Sequence, residues 1–209
     1  MKMGMKILSN KVRLSNISAL LSIFTLVAFH IPFFRHAASY VESGLNAVVI
    51  MTSLVIIMLL ANYFVYYFLL WTGRIVGKCI LAFSFIADAI SLYFINTYDV
   101  MLDDSMMGNV LNTRFSEASG FFSPAAVIYV IFLGVVPCIY VILRKIDFGS
   151  IKRAACNIGG SIIILLLILA VNLPNWTFIN NNQSVLGSYL LPWSYTVNTI
   201  RYKNQERQR

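Results

Sequence analysis

Five long apolar stretches constrain the fold of this chain more than any other feature of its sequence. Each approaches or exceeds the roughly 20 residues that a helix needs to cross a bilayer. The stretches are Asn16–Phe34, Leu45–Trp71, Val76–Thr97, Phe122–Leu143 and Ala154–Leu173. They lack the alternation of polar and apolar residues that is typical of barrel strands. In hydrocarbon, the backbone N–H and C=O groups of such continuous runs can form their hydrogen bonds only within a helix. The sequence therefore predicts an all-α membrane protein with five transmembrane helices.

Composition and the loops agree with this prediction. Charged residues make up 11% of the chain, against about 25% in soluble domains. The break at Gly73–Lys78 is so short that the second and third spans must form an antiparallel hairpin. The first stretch follows a basic segment, as in a signal peptide, but it is long and is followed by a poor cleavage site. We therefore interpret it as a retained span.

The basic residues indicate the orientation. With the N-terminus inside, ten of the 16 Lys and Arg residues flank the spans on the inner side, whereas the short outer loops hold only Arg35 and Arg114. The positive-inside rule then places the N-terminus inside and the C-terminus outside. The net charge of +8 is spread over these flanks, where anionic lipids attract each basic residue by about 1 kcal/mol. We predict the membrane as a partner, and no nucleic acid.

The spans carry few groups typical of a transporter. Asp88 is the only acidic residue deep within a span, and its insertion costs about 2.5–3.5 kcal/mol. It therefore needs a polar neighbour, for which Ser84 and Ser91 on the same helix are candidates. A structural hydrogen bond and a functional role both fit. Pro137 predicts a kink in the fourth span, but no other span has the matching broken helix of a transporter.

The segment between the third and fourth spans, Asn96–Gly120, has a different character. Asp103 or Asp104 can cap a helix there, and the spacing of apolar residues predicts an amphipathic helix of about 104–119 at the outer membrane surface. Its polar side places Asn109, Thr113 and Glu117 at intervals of four.

This polar side lacks the Lys and Arg residues usual on an interfacial helix. A carboxylate pairs with an ammonium group, while amides and hydroxyls orient phosphate or hydroxyl oxygens. Phosphatidylethanolamine carries both kinds of group, so it is a candidate ligand. A solvated helix face is the alternative, and the residues alone leave both open.

The segment resembles one in the lipid A phosphoethanolamine transferases, which include the mobile colistin-resistance enzymes. That family has the motif TYG, followed at fixed intervals by Met, Asn, Thr and Glu. This chain matches it with Thr97, Tyr98, Met106, Asn109, Thr113 and Glu117. Asp99 replaces the glycine of many relatives, a substitution that bears on the turn before the helix. The sequences GVVPCIY and SYLLPWSYTVNTIRY are also similar to parts of that family.

The resemblance implies a multi-pass protein of the bacterial inner membrane whose functional face is periplasmic. Asn109, Thr113 and Glu117 would bind the donor phosphatidylethanolamine, with Glu117 nearest its amine. A periplasmic domain with zinc and a threonine nucleophile would pass phosphoethanolamine to lipid A or the lipopolysaccharide core, the activity behind polymyxin resistance.

The sequence predicts how these parts divide along the chain. Residues 1–173 would form the five-span domain, with the periplasmic helix about 104–119, and residues 174–209 a periplasmic linker. Within it, NWTFINNNQS is polar and turn-rich, whereas SYLLPWSYTVNTI would lie on the membrane as an aromatic, part-helical segment broken at Pro192. That linker contains no Cys or His and only one acid, Glu206, so a zinc site cannot be assembled there. We expect no catalytic residue, metal site or cofactor in this chain, and a catalytic domain outside it. The alternative is a stand-alone membrane protein that binds phospholipid or a partner without catalysis.

Overall fold

The computed structural model describes residues 10–41, 44–121 and 123–208. Phe122, the predicted start of the fourth span, and the N-terminal residues Lys2 and Lys6 lie outside these ranges. In chain order the helices are α1 (Leu14–Phe29), α2 (Ile31–Tyr40), α3 (Leu45–Gly73), α4 (Ile75–Tyr98), α5 (Asp104–Asn112), α6 (Phe115–Ala118), α7 (Pro124–Leu143), α8 (Ile151–Val171), α9 (Trp176–Gly187) and α10 (Trp193–Gln208). Short 3₁₀ turns occupy Ser119–Phe121 and Leu173–Asn175. The chain is thus mostly helical, as predicted.

Four helices, α3, α4, α7 and α8, are long and apolar enough to cross a membrane. The predicted first span, Asn16–Phe34, is observed as two helices, α1 and α2, that meet at a bend of 64°; counted as one broken span, this pair brings the candidate spans among the described residues to five. The bend lies at His30, whose Nδ1 is 2.9 Å from the Thr25 carbonyl oxygen, and Pro32 cannot donate a backbone hydrogen bond. Hydropathy alone does not reveal this bend, since both sides of it are apolar.

The predicted hairpin between the second and third spans is confirmed. Arg74 alone separates α3 from α4, and it adopts a φ of 36°. The two helices pack closely beside this turn, because a Cβ on Gly77 would collide with the Leu69 carbonyl. The Arg74 guanidinium lies 5.1 Å from the centre of the Phe148 ring.

Helix α7 packs against α4 and is irregular in its middle. Six residues, Val130–Val135, form a π-helix that ends two residues before Pro137, the residue at which the sequence predicts a kink. Gly134 lies in this segment, and a Cβ there would be 3.1 Å from the Ile86 Cα of α4. Ser123 caps the start of the helix: its Oγ accepts from the Ala126 amide and pairs with the Tyr93 hydroxyl at 2.8 Å.

Polar side chains join other pairs of spans. The Thr25 and Tyr66 hydroxyls are 2.8 Å apart between α1 and α3. Tyr63 on α3 donates to Asn157 of α8 at 3.0 Å. Such bonds help to hold helices together in a membrane, where apolar side chains gain little by leaving lipid for a neighbouring helix.

The two ends of the bundle differ. At one end, β1 (Val12–Arg13) and β2 (Ile146–Asp147) pair as short parallel strands. At the other, which we call the α5 end, α4 stops and α7 begins, with α5 between them. The turns predicted for NWTFINNNQS are replaced by the helix α9, whereas the predicted break at Pro192 is present and the helix α10 follows it. The Asn182 side chain donates to the Phe178 carbonyl within α9, so the asparagines there do not prevent helix formation.

Candidate functional site

The predicted helix of about 104–119 is divided in two in the structure. Its first part, α5, starts as expected, with the Asp103 carboxylate accepting from the Met106 amide at 2.7 Å. It ends at Asn112, because Thr113 is extended with φ −70° and ψ 131°. The short helix α6 follows at Phe115–Ala118.

Side chains bond back onto α5 where it ends. The Asn112 amide donates to the Gly108 carbonyl at 2.8 Å, and the Thr113 hydroxyl donates to the Asn109 carbonyl at 2.6 Å. Asn182 makes the same kind of bond inside α9, so these bonds by themselves do not stop a helix. The extended backbone of Thr113 ends α5. Asn109, Thr113 and Glu117 therefore do not lie on one continuous helix, which corrects the predicted geometry of the set.

Helix α10 packs along α5 and covers part of it. Asn198 donates to the Leu102 carbonyl at 2.6 Å, and Gln205 donates to the Asp104 carboxylate at 2.9 Å. Tyr202 lies between Asn198 and Gln205 along α10, and its hydroxyl accepts from the Asn112 amide at 2.8 Å. The ring of Tyr202 lies over Gly108 so closely that a Cβ there would overlap it. Glycine is therefore required at this contact by space rather than by backbone conformation.

A cleft of about 300 Å³ lies between these two helices. Its walls are mostly polar, and are formed by Asp104, Ser105, Gly108, Asn109, Asn112, Tyr202 and Gln205. A carboxylate, amides, a phenol and a hydroxyl thus face one small space. This set can pair with an ammonium group and donate hydrogen bonds to phosphate or hydroxyl oxygens.

The three predicted binding residues have different places relative to the cleft. All three are exposed. Asn109 lines the cleft, whereas Thr113 and Glu117 follow it in the chain, beyond the end of α5. Sequence reasoning missed Asp104 as a cleft residue, although it considered Asp104 as a helix cap. It also missed Tyr202 and Gln205, because they come from α10.

Asp99 ends α4 in a left-handed conformation, with φ 51° and ψ 39°. Glycine adopts this conformation without strain, and aspartate is among the residues that tolerate it best. The glycine of many relatives could adopt the same backbone conformation as Asp99, so the substitution does not require a different turn before α5.

Asp88 lies fully buried in α4, beneath the α5 end. Its Oδ1 accepts from the Tyr195 hydroxyl of α10 at 3.0 Å, 107 residues away in the chain. Burial raises the pKa of the Tyr195 phenol, and Asp88 shifts it in the same direction, whereas a hydrogen bond with Ser84 lowers it. Asp88 therefore has its predicted polar neighbour, but the neighbour with the direct bond is a tyrosine of α10.

In the part of the chain that the structure describes, no three His, Cys, Asp or Glu side chains are grouped as a metal site requires.

Comparison with known proteins identifies the family. Residues 58–207 match the sequence profile of the family described as Phosphoethanolamine transferase EptA/EptB. This region includes α4, α5, α7, α8, α9 and nearly all of α10. The chain belongs to the phosphoethanolamine transferase family.

Individual members agree with this assignment. The phosphoethanolamine transferase EptA of Helicobacter pylori is 29% identical over 176 residues, which cover 84% of this chain and 33% of that protein. The phosphatidylethanolamine transferase Mcr-1 of Escherichia coli is 30% identical over 129 residues, covering 59% of this chain and 24% of that protein. The chain therefore spans about a third or less of the length of these transferases.

A solved member of the family shares the fold. It is the integral membrane protein lipooligosaccharide phosphoethanolamine transferase A (EptA) from Neisseria meningitidis, with a TM-score of 0.83 and 20% identity. The match covers 95% of this chain and 38% of the Neisseria protein. The arrangement of helices described above thus matches the fold of part of that EptA protein.

Proposed function

We propose that this chain holds phosphatidylethanolamine as the phosphoethanolamine donor, in the polar cleft between α5 and α10. The observation that carries the proposal is the cleft itself, because it presents a carboxylate and amides at the end of a bundle of apolar helices. A phospholipid bound there keeps its acyl chains beside the spans and its headgroup among polar side chains. Relatives named for transfer of phosphoethanolamine add support.

The headgroup offers two groups with opposite charge. Its ammonium pairs with a carboxylate, either Asp104 in the cleft wall or Glu117 after α5. Its phosphate accepts hydrogen bonds from the Asn109 amide and from Gln205 or Tyr202. A carboxylate bonded to an ammonium makes a charge-assisted hydrogen bond, which is about twice as strong as a neutral one.

We further propose that the α5 end faces the periplasm, from a bacterial inner membrane. The basic residues near the β1–β2 end of the bundle support this orientation, since positive charge is favoured on the cytoplasmic side. The described ones are Lys11, Arg13, Arg74, Lys78, Arg144, Lys145, Lys152 and Arg153.

Transfer itself needs groups that these residues do not supply. A catalytic domain beyond residues 1–209, with the zinc and threonine nucleophile that the resemblance implies, would act on the headgroup. The acceptor would be lipid A or the lipopolysaccharide core. In this arrangement the present chain binds and orients the donor, and we assign it no catalytic residue.

The direct test is retention of lipid by the purified chain. The chain is equilibrated with nanodiscs that contain equal amounts of phosphatidylethanolamine and phosphatidylglycerol, and native mass spectrometry counts what stays bound. We expect phosphatidylethanolamine to be retained preferentially. Equal retention of the two lipids would contradict the proposal.

Three variants test the individual residues. Glu117→Gln removes the charge and should reduce retention of phosphatidylethanolamine about tenfold while sparing phosphatidylglycerol. Asn109→Ala and Thr113→Ala should weaken retention without loss of folding. Equal loss of both lipids in Glu117→Gln would exclude a role for Glu117 in binding the amine. Failure of Asn109→Ala or Thr113→Ala to insert into the membrane would mean a structural role for that residue.

A further inference from the structure

Four residues of α10, Tyr195, Asn198, Tyr202 and Gln205, form what we call its contact face. They recur at intervals of three or four and therefore lie on one side of the helix. Each makes a side-chain hydrogen bond to a residue more than 85 positions earlier in the chain. The last three join α10 to α5 and to Leu102 just before it. Tyr195 joins α10 to a spanning helix, through Asp88.

The contact of Tyr195 differs from the others in depth. Asp88 has no exposed surface, and its second carboxylate oxygen, Oδ2, has no hydrogen-bond partner among the described residues. Tyr195 itself is half-buried; Ser194 beside it is 2% exposed, and Leu191, just before α10, is 0% exposed. Thr196 and Val197, which follow Tyr195, are exposed. One side of the first turn of α10 thus contacts the bundle, whereas its later turns lie along α5.

We propose that Asp88 is a positioning residue, which fixes α10 on the spans through Tyr195 and thereby places one wall of the cleft. Tyr202 and Gln205, two and three turns after Tyr195, form that wall. A helix is stiff over three turns, so anchoring its first turn limits where these side chains lie. Asp88 does not line the cleft, and its effect on the cleft is exerted through α10.

The position of α10 is tested without any lipid measurement, by hydrogen exchange of the full chain in nanodiscs with readout by mass spectrometry. Tyr195→Phe removes one oxygen, and Asp88→Ala removes its partner. Tyr63→Phe is the matched control, because Tyr63 donates to the Asn157 side chain over the same 3.0 Å, between α3 and α8.

We expect the amides of α10 to exchange about tenfold faster in Tyr195→Phe and in Asp88→Ala, with α7 unchanged, because a buried polar group then loses its partner. Tyr63→Phe should leave α10 as in the wild type. The double variant should exchange no faster than Asp88→Ala, since both changes remove one interaction. Unchanged exchange of α10 in Tyr195→Phe would overturn the proposal, as would equal acceleration by Tyr63→Phe or multiplied effects in the double variant.

The consequence for lipid rests on the proposed function and is measured separately. Retention of phosphatidylethanolamine should fall in Tyr195→Phe and stay constant in Tyr63→Phe. If α10 exchanges faster in Tyr195→Phe while lipid retention is unchanged, Asp88 still positions α10 but the effect on the donor is refuted. If the wild type itself shows no preference for phosphatidylethanolamine, the proposed function fails and the exchange result still decides the role of Asp88.

Discussion

The α4–α7 contact and the α5–α10 contact join helices by different means. Between α4 and α7, backbones approach each other directly at Gly134, next to Ile86 and Ala89. Between α5 and α10, side-chain hydrogen bonds such as those of Asn112 and Gln205 cross the gap, and a cleft remains. The close packing of α4 and α7 leaves no room for a ligand. The polar contact between α5 and α10 leaves a cleft that has room for one. On the proposed function, α4 and α7 provide the scaffold and α5 and α10 provide the binding surface.

The largest effect should come from filling the close contact. Gly134→Leu places a side chain against α4, where even a Cβ would be 3.1 Å from the Ile86 Cα. Overpacking of this kind costs about 1–3 kcal/mol or more. We expect a clear decrease in the midpoint of thermal unfolding in detergent, measured by size-exclusion chromatography of heated samples.

Gly159→Leu is the matched control for this experiment. Gly159 lies in α8, and a Cβ there would meet no atom within 4 Å. This variant should unfold at the temperature of the wild type. An equal decrease in both variants would show that added bulk in any span is harmful, and that the α4–α7 contact is not special.

A smaller effect on stability, with a larger effect on binding, is expected at the second contact. Gly108→Ala makes the Tyr202 ring move, since the new methyl group would overlap it. Tyr202 lies on α10 outside the spans, so we expect the spans to stay folded while the cleft changes shape. Retention of phosphatidylethanolamine should fall about tenfold, which corresponds to 1.4 kcal/mol.

Gly187→Ala serves as the control. Gly187 lies at the end of α9, and a Cβ there would meet no atom within 4 Å. Replacing glycine by alanine in a helix changes the free energy of unfolding by about 0.5–1 kcal/mol through the backbone alone. Comparing the two variants separates that contribution from the contact with Tyr202. Unchanged lipid retention in Gly108→Ala would contradict our assignment of the cleft.

The smallest effect is expected at the opposite end of the bundle. Arg153 and Asp147 form an ion pair at 3.8 Å, with each side chain about half exposed. Exposed pairs contribute roughly 0–1 kcal/mol, so Arg153→Gln should change the free energy of unfolding by less than about 0.5 kcal/mol in urea titration. A loss above about 1 kcal/mol would show that this end is also held together by polar contacts.

The spanning helices were largely predictable, and the details of the α5 end were not. The predicted span Leu45–Trp71 compares with the observed α3 at Leu45–Gly73, because apolar length is a local property. The bend at His30 and the break at Thr113 were not predicted, because the helical spacing of residues continues through both positions. Spacing gives the period of a helix but not the backbone angles of a single residue.

The sequence by itself determined that this chain crosses a membrane as helices, because hydrocarbon leaves a continuous apolar run no other way to satisfy its backbone. Its motif of Asn109, Thr113 and Glu117 also pointed to the family. Only the tertiary structure decided that Tyr195 bonds to Asp88 and that Asp104 shares a cleft with Gln205. These pairs are about 100 residues apart in the chain, and they meet only because packing of the spans brings α10 back to α4 and α5.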